Sequence, residues 1–189
     1  PFRQAWALPG GFAHEDTDDT LQDAAFRMLV DKLGVKPTYL EELGTFSGRH
    51  RDPRGWSMTV AFYAVVPYTL LEHNIQANGL ALFPLDKLPA LAFDHSHIVE
   101  SAHARVKSKG TYSTLPMFLC GDTFTLSELQ HAYEVVTDMQ SNPENFQRKI
   151  KDMNVLTPVT GQRQAGARGR HAQLYRLKDP RPVLFNRSR

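Results

Sequence analysis

The order of amphipathic signals between residues 125 and 177 restricts the fold of this chain more than any other feature. "TLSELQHAYEVVTDM" opens with the capping-box pattern Thr125-x-x-Glu128 and carries Leu126, Leu129, Ala132, Tyr133 and Val136 at helical spacing. A turn follows. "SNPENFQRKIKDM" then starts a second helix, with Asn142 as N-cap and Pro143 at the first helical position, where an N–H would lack an intrahelical partner anyway. Beyond it, "VLTPV" and "AQLYRL" read as strands flanking the polar, glycine-containing loop "TGQRQAGARGRH".

Helix, turn, helix, hairpin is the order of a winged helix-turn-helix. Charge agrees with it. Residues 105–189 hold 14 Lys+Arg against 7 Asp+Glu, whereas residues 1–104 hold 8 against 13, so an overall +2 hides a basic half of +7 and an acidic half of −5. A basic half implies a polyanionic partner. Aromatic residues able to stack single-stranded bases are scarce after residue 140, only Phe146, Tyr175 and Phe185, which favours double-stranded DNA over an RNA-binding module. With Phe146, Ile150 and Met153 as the buried stripe, the 100° step turns Glu144, Gln147, Arg148 and Lys151 outward, with Asn145 at the edge. On that face Arg148 suits guanine and Gln147 or Asn145 suits adenine, while Lys149, nearer the core flank, is placed for phosphate. Arg163, Arg168 and Arg170 on the wing loop suit phosphate or minor-groove contact. Glu144 and Asp152 would repel the DNA backbone.

The first half alternates strand and helix signals, and the expected division is 1–108 and 109–189. "AWALPGG" reads as a strand running into a glycine turn. Residues 20–33 show a helical period, with Thr20 as N-cap, Asp23 at the third helical position and Gly34 at the end. "YLEELGTFS" and "SMTVAFYAVVP" read as strands. The loop between them sets Arg51 and Arg54 around Pro53, which suits phosphate or carboxylate recognition, the alternative being local pairing with Asp52. Asp94 reads as the N-cap of a helix carrying Ile98, Val99, Ala102 and Val106, the expected connection between the halves. The eight histidines show no metal-ligand spacing, and one cysteine, Cys120, excludes an internal disulfide. "MTVAFYAVVPYTLL" is too short to span a bilayer and contains a proline, and no charged-then-apolar leader opens the chain. The expectation is a cytoplasmic protein without membrane contact.

"LPGGF", followed by "AAFRMLVDKLGV", resembles the Nudix signature, in which the helix carries carboxylates that hold a divalent metal. Mapped onto that pattern, Arg27, Leu29, Gly34 and Val35 match, while Met28, Asp31 and Lys32 stand where the three acids belong. The loop ahead of the helix is also two residues longer than the pattern, which moves Glu15, Asp16, Asp18 and Asp19 out of register. The resemblance therefore implies a Nudix fold without a metal site, without catalytic residues and without a required cofactor. Rescue of a metal site by Glu15 or Asp19 is the alternative. For Lys32, either its ammonium takes the metal's place and attracts a ligand diphosphate, or it simply meets Asp31 or solvent. Residues placed at the ligand are Gly10, Gly11, Arg27, Asp31, Lys32, Arg51 and Arg54.

"ALPGGF", "LGTFSGRHRDPRGWSMTVAFYAVVP", "LAFDH", "YSTLPMFL", "FTLSELQHAYE", "NFQRKI" and "GRHAQLYRL" follow the order seen in the NrtR family, Nudix-related transcriptional regulators of NAD metabolism. The resemblance implies an α+β chain: a Nudix-like α/β/α sandwich, with further strands ahead of "PF", followed by a winged helix-turn-helix domain. It implies a bacterial homodimer that binds palindromic operators of NAD biosynthesis or salvage genes, as a repressor answering to ADP-ribose or a related metabolite. The competing reading is an active ADP-ribose pyrophosphatase with an appended nucleic-acid module.

Overall fold

In this computed structural model, residues 2, 4–72, 79–165 and 171–185 are described. The chain divides into two compact units, Pro1–Arg105 and Val106–Arg189.

In the first unit, helix α1 (Leu21–Leu33) has the boundaries its caps dictate. Thr20 Oγ1 accepts the Asp23 N–H and the Asp23 carboxylate accepts the Thr20 N–H, a reciprocal capping box. Gly34, at φ 65°, closes the helix in a left-handed conformation that a side chain would strain, and donates its N–H to the Val30 carbonyl. Strand β1 (Tyr39–Gly48) pairs antiparallel with β2 (Ser57–Val65), from Tyr39 opposite Val65 to Gly48 opposite Ser57. A bulge between Glu42 and Gly44 shifts the register. The short α2 (Tyr68–Glu72) and a 3₁₀ turn (Leu85–Lys87) precede α3 (His95–Tyr112), which carries the chain across the division.

Two local expectations are corrected. "AWALPGG" forms a single parallel bridge, Trp6 to Leu91, with the Ala92 N–H donating to the Trp6 carbonyl at 2.8 Å. It does not extend into a ladder, because Pro9 has no N–H and the Leu8 N–H donates to His95 Nδ1 at 2.9 Å. Asp94 does precede α3, but Arg51 holds its carboxylate, and the N–H groups of His97 and Ile98 go to the Asp94 backbone carbonyl instead.

The second unit opens with a 3₁₀ turn (Leu115–Leu119) and continues through α4 (Leu126–Thr137), α5 (Pro143–Asp152), β3 (Leu156–Ala165) and β4 (His171–Leu177). Thr125 and Glu128 form the expected capping box, and Asn142 Oδ1 accepts the N–H groups of Glu144 and Asn145. The core gathers Met117, Phe124, Leu129, Tyr133, Phe146 and Ile150. Fully burying apolar side chains of this size contributes about 1.5–3 kcal/mol each. Phe124 and Tyr175 exchange backbone bonds at 3.0 and 2.8 Å, tying the approach to α4 onto the hairpin.

The hairpin also departs from expectation. Residues 160–165, read as loop, belong to β3. The register breaks between Pro158, opposite Tyr175, and Arg163, opposite Gln173, so extra residues bulge where proline offers no ladder donor. A two-unit α+β architecture with a winged helix-turn-helix is the class the sequence called for. Among the described residues, no helix is long and apolar enough to cross a membrane.

Candidate ligand and nucleic-acid sites

In the first unit, α1 organises the glycine loop through side chains one turn apart. Arg27 donates from Nε to Asp18 Oδ1 at 2.8 Å and from Nη2 to Asp18 Oδ2 at 2.6 Å, and Nη2 also reaches the Phe12 carbonyl at 3.0 Å. The Asp18 side chain is 2% exposed. The Arg27 guanidinium, and then the His14 N–H, hold its carboxyl well below the usual range. Lys32 Nζ donates to the Gly10 carbonyl at 2.6 Å. A Cβ placed on Gly11 would lie 2.5 Å from Met28 Sδ, so the thioether fills the space directly against the loop backbone.

Gly10, Gly11, Arg27, Asp31 and Lys32 are thus brought together around one loop. Among the described residues, the positions where the Nudix pattern carries its three acids do not offer the carboxylates that the divalent cation implied by that fold needs. Position 28 supplies a packed thioether and position 32 an ammonium bonded to the loop. Asp31 retains a carboxylate, but its side chain is 61% exposed and lies 4.0 Å from Arg27 Nη1. Among the described residues, no three His, Cys, Asp or Glu side chains gather in a metal-binding arrangement.

Arg51 and Arg54 project from the β1–β2 connection, and each already holds a carboxylate. Arg51 forks onto Asp94, with both distances 2.9 Å, and gives Nη1 to Ser57 Oγ at 3.2 Å. Arg54 pairs with Asp52, whose carboxylate also accepts the Arg54 N–H, and Asp52 is lowered to about 2 chiefly by that guanidinium. An incoming anion must therefore compete for either arginine. Local pairing with Asp52 was legible for Arg54. The partnership of Arg51 with Asp94 was not, because 43 residues separate them in sequence.

Sequence reasoning also missed His95. Accepting the Leu8 N–H at Nδ1 requires the tautomer protonated at Nε2. Burial pushes His95 below its ordinary value, against the raising influence of Asp94. An apolar cavity of about 400 Å³, lined by Trp6, Leu8, Leu29, Leu33, Val66 and Phe83 among others, lies beside this segment. Its lining is dispersed in sequence, so no local motif announces it.

In the second unit, Phe146 and Ile150 anchor α5 and leave a polar outer face. Asn145, Arg148, Lys149 and Lys151 are exposed and Gln147 is half-buried. Arg148 Nη2 donates to Asn145 Oδ1 at 3.0 Å, which links the two side chains read as base contacts. Lys149 places its ammonium 4.9 Å from the centroid of the Phe185 ring. Arg163 belongs to strand β3 and not to the loop. Arg168 and Arg170 lie outside the described residues.

A family model described as the NrtR DNA-binding winged helix domain matches residues 116–177. Over 181 residues, 94% of this chain and 71% of the relative, the sequence is 36% identical to a protein of Acinetobacter baylyi named ADPR responsive transcriptional repressor NtrR. Among solved structures, Shewanella oneidensis NrtR complexed with a 27mer DNA matches with a TM-score of 0.87 and 38% identity, over 95% of this chain and 82% of that one. A MutT/nudix family protein from Enterococcus faecalis matches with a TM-score of 0.70 over 95% of this chain and 77% of the other. At 23% identity that last likeness concerns the fold alone.

Proposed function

The chain belongs to the NrtR family, and from that premise we propose that it is a transcriptional repressor whose Nudix-like unit senses ADP-ribose and whose winged helix binds operator DNA. The observation that carries this reading is α5. Inside the segment matched by the winged-helix model, it buries Phe146 and Ile150 and presents Asn145, Arg148 and Lys151 to solvent. Such a helix fits the major groove, with Arg148 reading guanine, Asn145 or Gln147 reading adenine, and Lys149 and Lys151 nearer the phosphates. Arg163, Arg168 and Arg170 supply the wing's positive charge. The protein acts as a homodimer on a palindromic operator of NAD biosynthesis or salvage genes, in the cytoplasm where that DNA lies.

On the sensor side, the diphosphate of ADP-ribose or a related NAD metabolite faces the loop held by Arg27 and Lys32. Met28 and Lys32 in place of carboxylates favour retention over hydrolysis, so binding needs no divalent metal. The ligand acts on DNA affinity only through different affinities for the DNA-competent and released arrangements.

A mobility shift on the upstream DNA of NAD genes, titrated with ADP-ribose, NAD and nicotinamide mononucleotide, tests both halves. The expected result is a sequence-specific complex that ADP-ribose dissociates in the presence of EDTA. AMP release from ADP-ribose with Mg²⁺ or Mn²⁺ at ordinary pyrophosphatase rates, with no preference among duplexes, refutes it.

A further inference from the structure

Residues 183–185 lie beyond the segment matched by the winged-helix model, yet they are bonded to the end of α3. Thr114 donates its N–H to the Val183 carbonyl at 3.0 Å, Phe185 donates to the Tyr112 carbonyl at 2.7 Å, and Ser113 and Leu184 form an antiparallel bridge between them. A third bond runs from the Val183 N–H to Thr114 Oγ1 at 2.8 Å. Thr114 is 1% exposed, so water cannot replace that partner and breaking the bond leaves a buried hydroxyl unpaired.

The Phe185 side chain then leaves this short pairing toward the two DNA-binding helices. Its ring stacks on Tyr133 of α4, at 6.5 Å between centroids and 24° between planes. Its face lies under the Lys149 ammonium of α5. Tyr133 in turn meets Phe146 of α5 edge-on at 5.5 Å and gives its hydroxyl to the Ser113 carbonyl at 3.0 Å. One residue therefore joins the end of α3, through its backbone N–H, to α4 and α5, through its ring.

We propose that residues 183–185 form a strap through which the end of α3 sets α5, with Phe185 as the positioning residue. Phe185 itself contacts no base or phosphate. It fixes where Arg148 and Asn145 stand by holding Lys149 and Tyr133. A change at the end of α3 is transmitted along the strap without passing through the turn between α4 and α5. This inference rests on the reading of α5 as the recognition helix.

Its test uses the whole chain and two readouts. Fluorescence anisotropy compares affinity for operator and for a scrambled duplex of the same length, for the wild type, Phe185→Ala and Phe185→Tyr. Loss of folded protein lowers both affinities alike and leaves their ratio unchanged, whereas a displaced helix lowers the ratio. Phe185→Ala is expected to reduce the ratio about tenfold, comparable to losing one matched base pair. Phe185→Tyr, which keeps the ring, is expected to restore it. Hydrogen exchange across residues 143–152, measured without DNA, is expected to accelerate in Phe185→Ala and not in Phe185→Tyr. A wild type that prefers no duplex refutes the recognition-helix reading, and the exchange readout then judges the strap by itself. A Phe185→Ala ratio matching wild type, or unchanged exchange across α5, overturns the proposal.

Discussion

Replacing Arg51 with alanine removes two donors from Asp94 and one from Ser57. The two charged side chains are 13% and 22% exposed, so the pair lies between a buried and a surface ion pair. Breaking a fully buried pair costs about 3–5 kcal/mol, and an exposed one contributes about 0–1. With water reaching a fifth of Asp94, the expected loss at neutral pH is about 2 kcal/mol. Acidity supplies the sharper check. In the native protein burial raises Asp94, but the Arg51 hydrogen bonds and charge outweigh it, so the carboxyl lies below 3.8 and its stabilisation is lost as the pH falls through that lowered value. Without Arg51, burial is no longer opposed by that guanidinium, so the Asp94 carboxyl of the folded variant lies higher than in the wild type and the variant loses less stability in acid. The gap between wild type and variant must therefore shrink as the pH falls from 7 through the lowered Asp94 value, below 3.8. Urea unfolding followed by tryptophan fluorescence measures it, since the two tryptophans, Trp6 and Trp56, both report on the first unit. A loss under about 0.5 kcal/mol, or a gap that does not change with pH, refutes the argument.

Three further outcomes are expected. Protonating His95 removes the acceptor of the Leu8 N–H; with its folded value depressed from 6.5 by burial, the associated stability is present above 6.5 and lost as the pH falls through the lowered value. The Leu8 amide resonance followed by NMR from pH 7.5 to 5 should move with the His95 ring, and an amide that ignores the titration disproves the link. Leu129→Ala, at a position with no solvent exposure, should destabilise the winged-helix unit by about 2–5 kcal/mol in chemical denaturation. Arg148→Ala should relax operator preference at one base pair by about 1–3 kcal/mol, whereas Lys151→Ala should weaken all duplexes alike and flatten the salt dependence; a binding-site selection on both variants separates these effects.

Local chemistry was enough to determine three of the helices. The starts of α1, α4 and α5 follow from Thr20 with Asp23, Thr125 with Glu128 and Asn142 with Pro143, and the end of α1 from Gly34, because capping groups find their partners within three or four residues and need no distant neighbour. The replacements at positions 28 and 32 were likewise visible, since the resemblance fixes the register of that helix. Tertiary structure alone decided the partners across long loops. Arg51 found Asp94, His95 took the Leu8 N–H that a strand would have used, and Phe185 met Lys149 and Tyr133. Sequence lists which charges and rings exist, but only chain closure brings a guanidinium or an aromatic face within bonding distance of one of them. Hence the capped helices were readable one residue at a time, while the extent of the strands at 5–11 and 156–165 and the ties between elements had to await the fold.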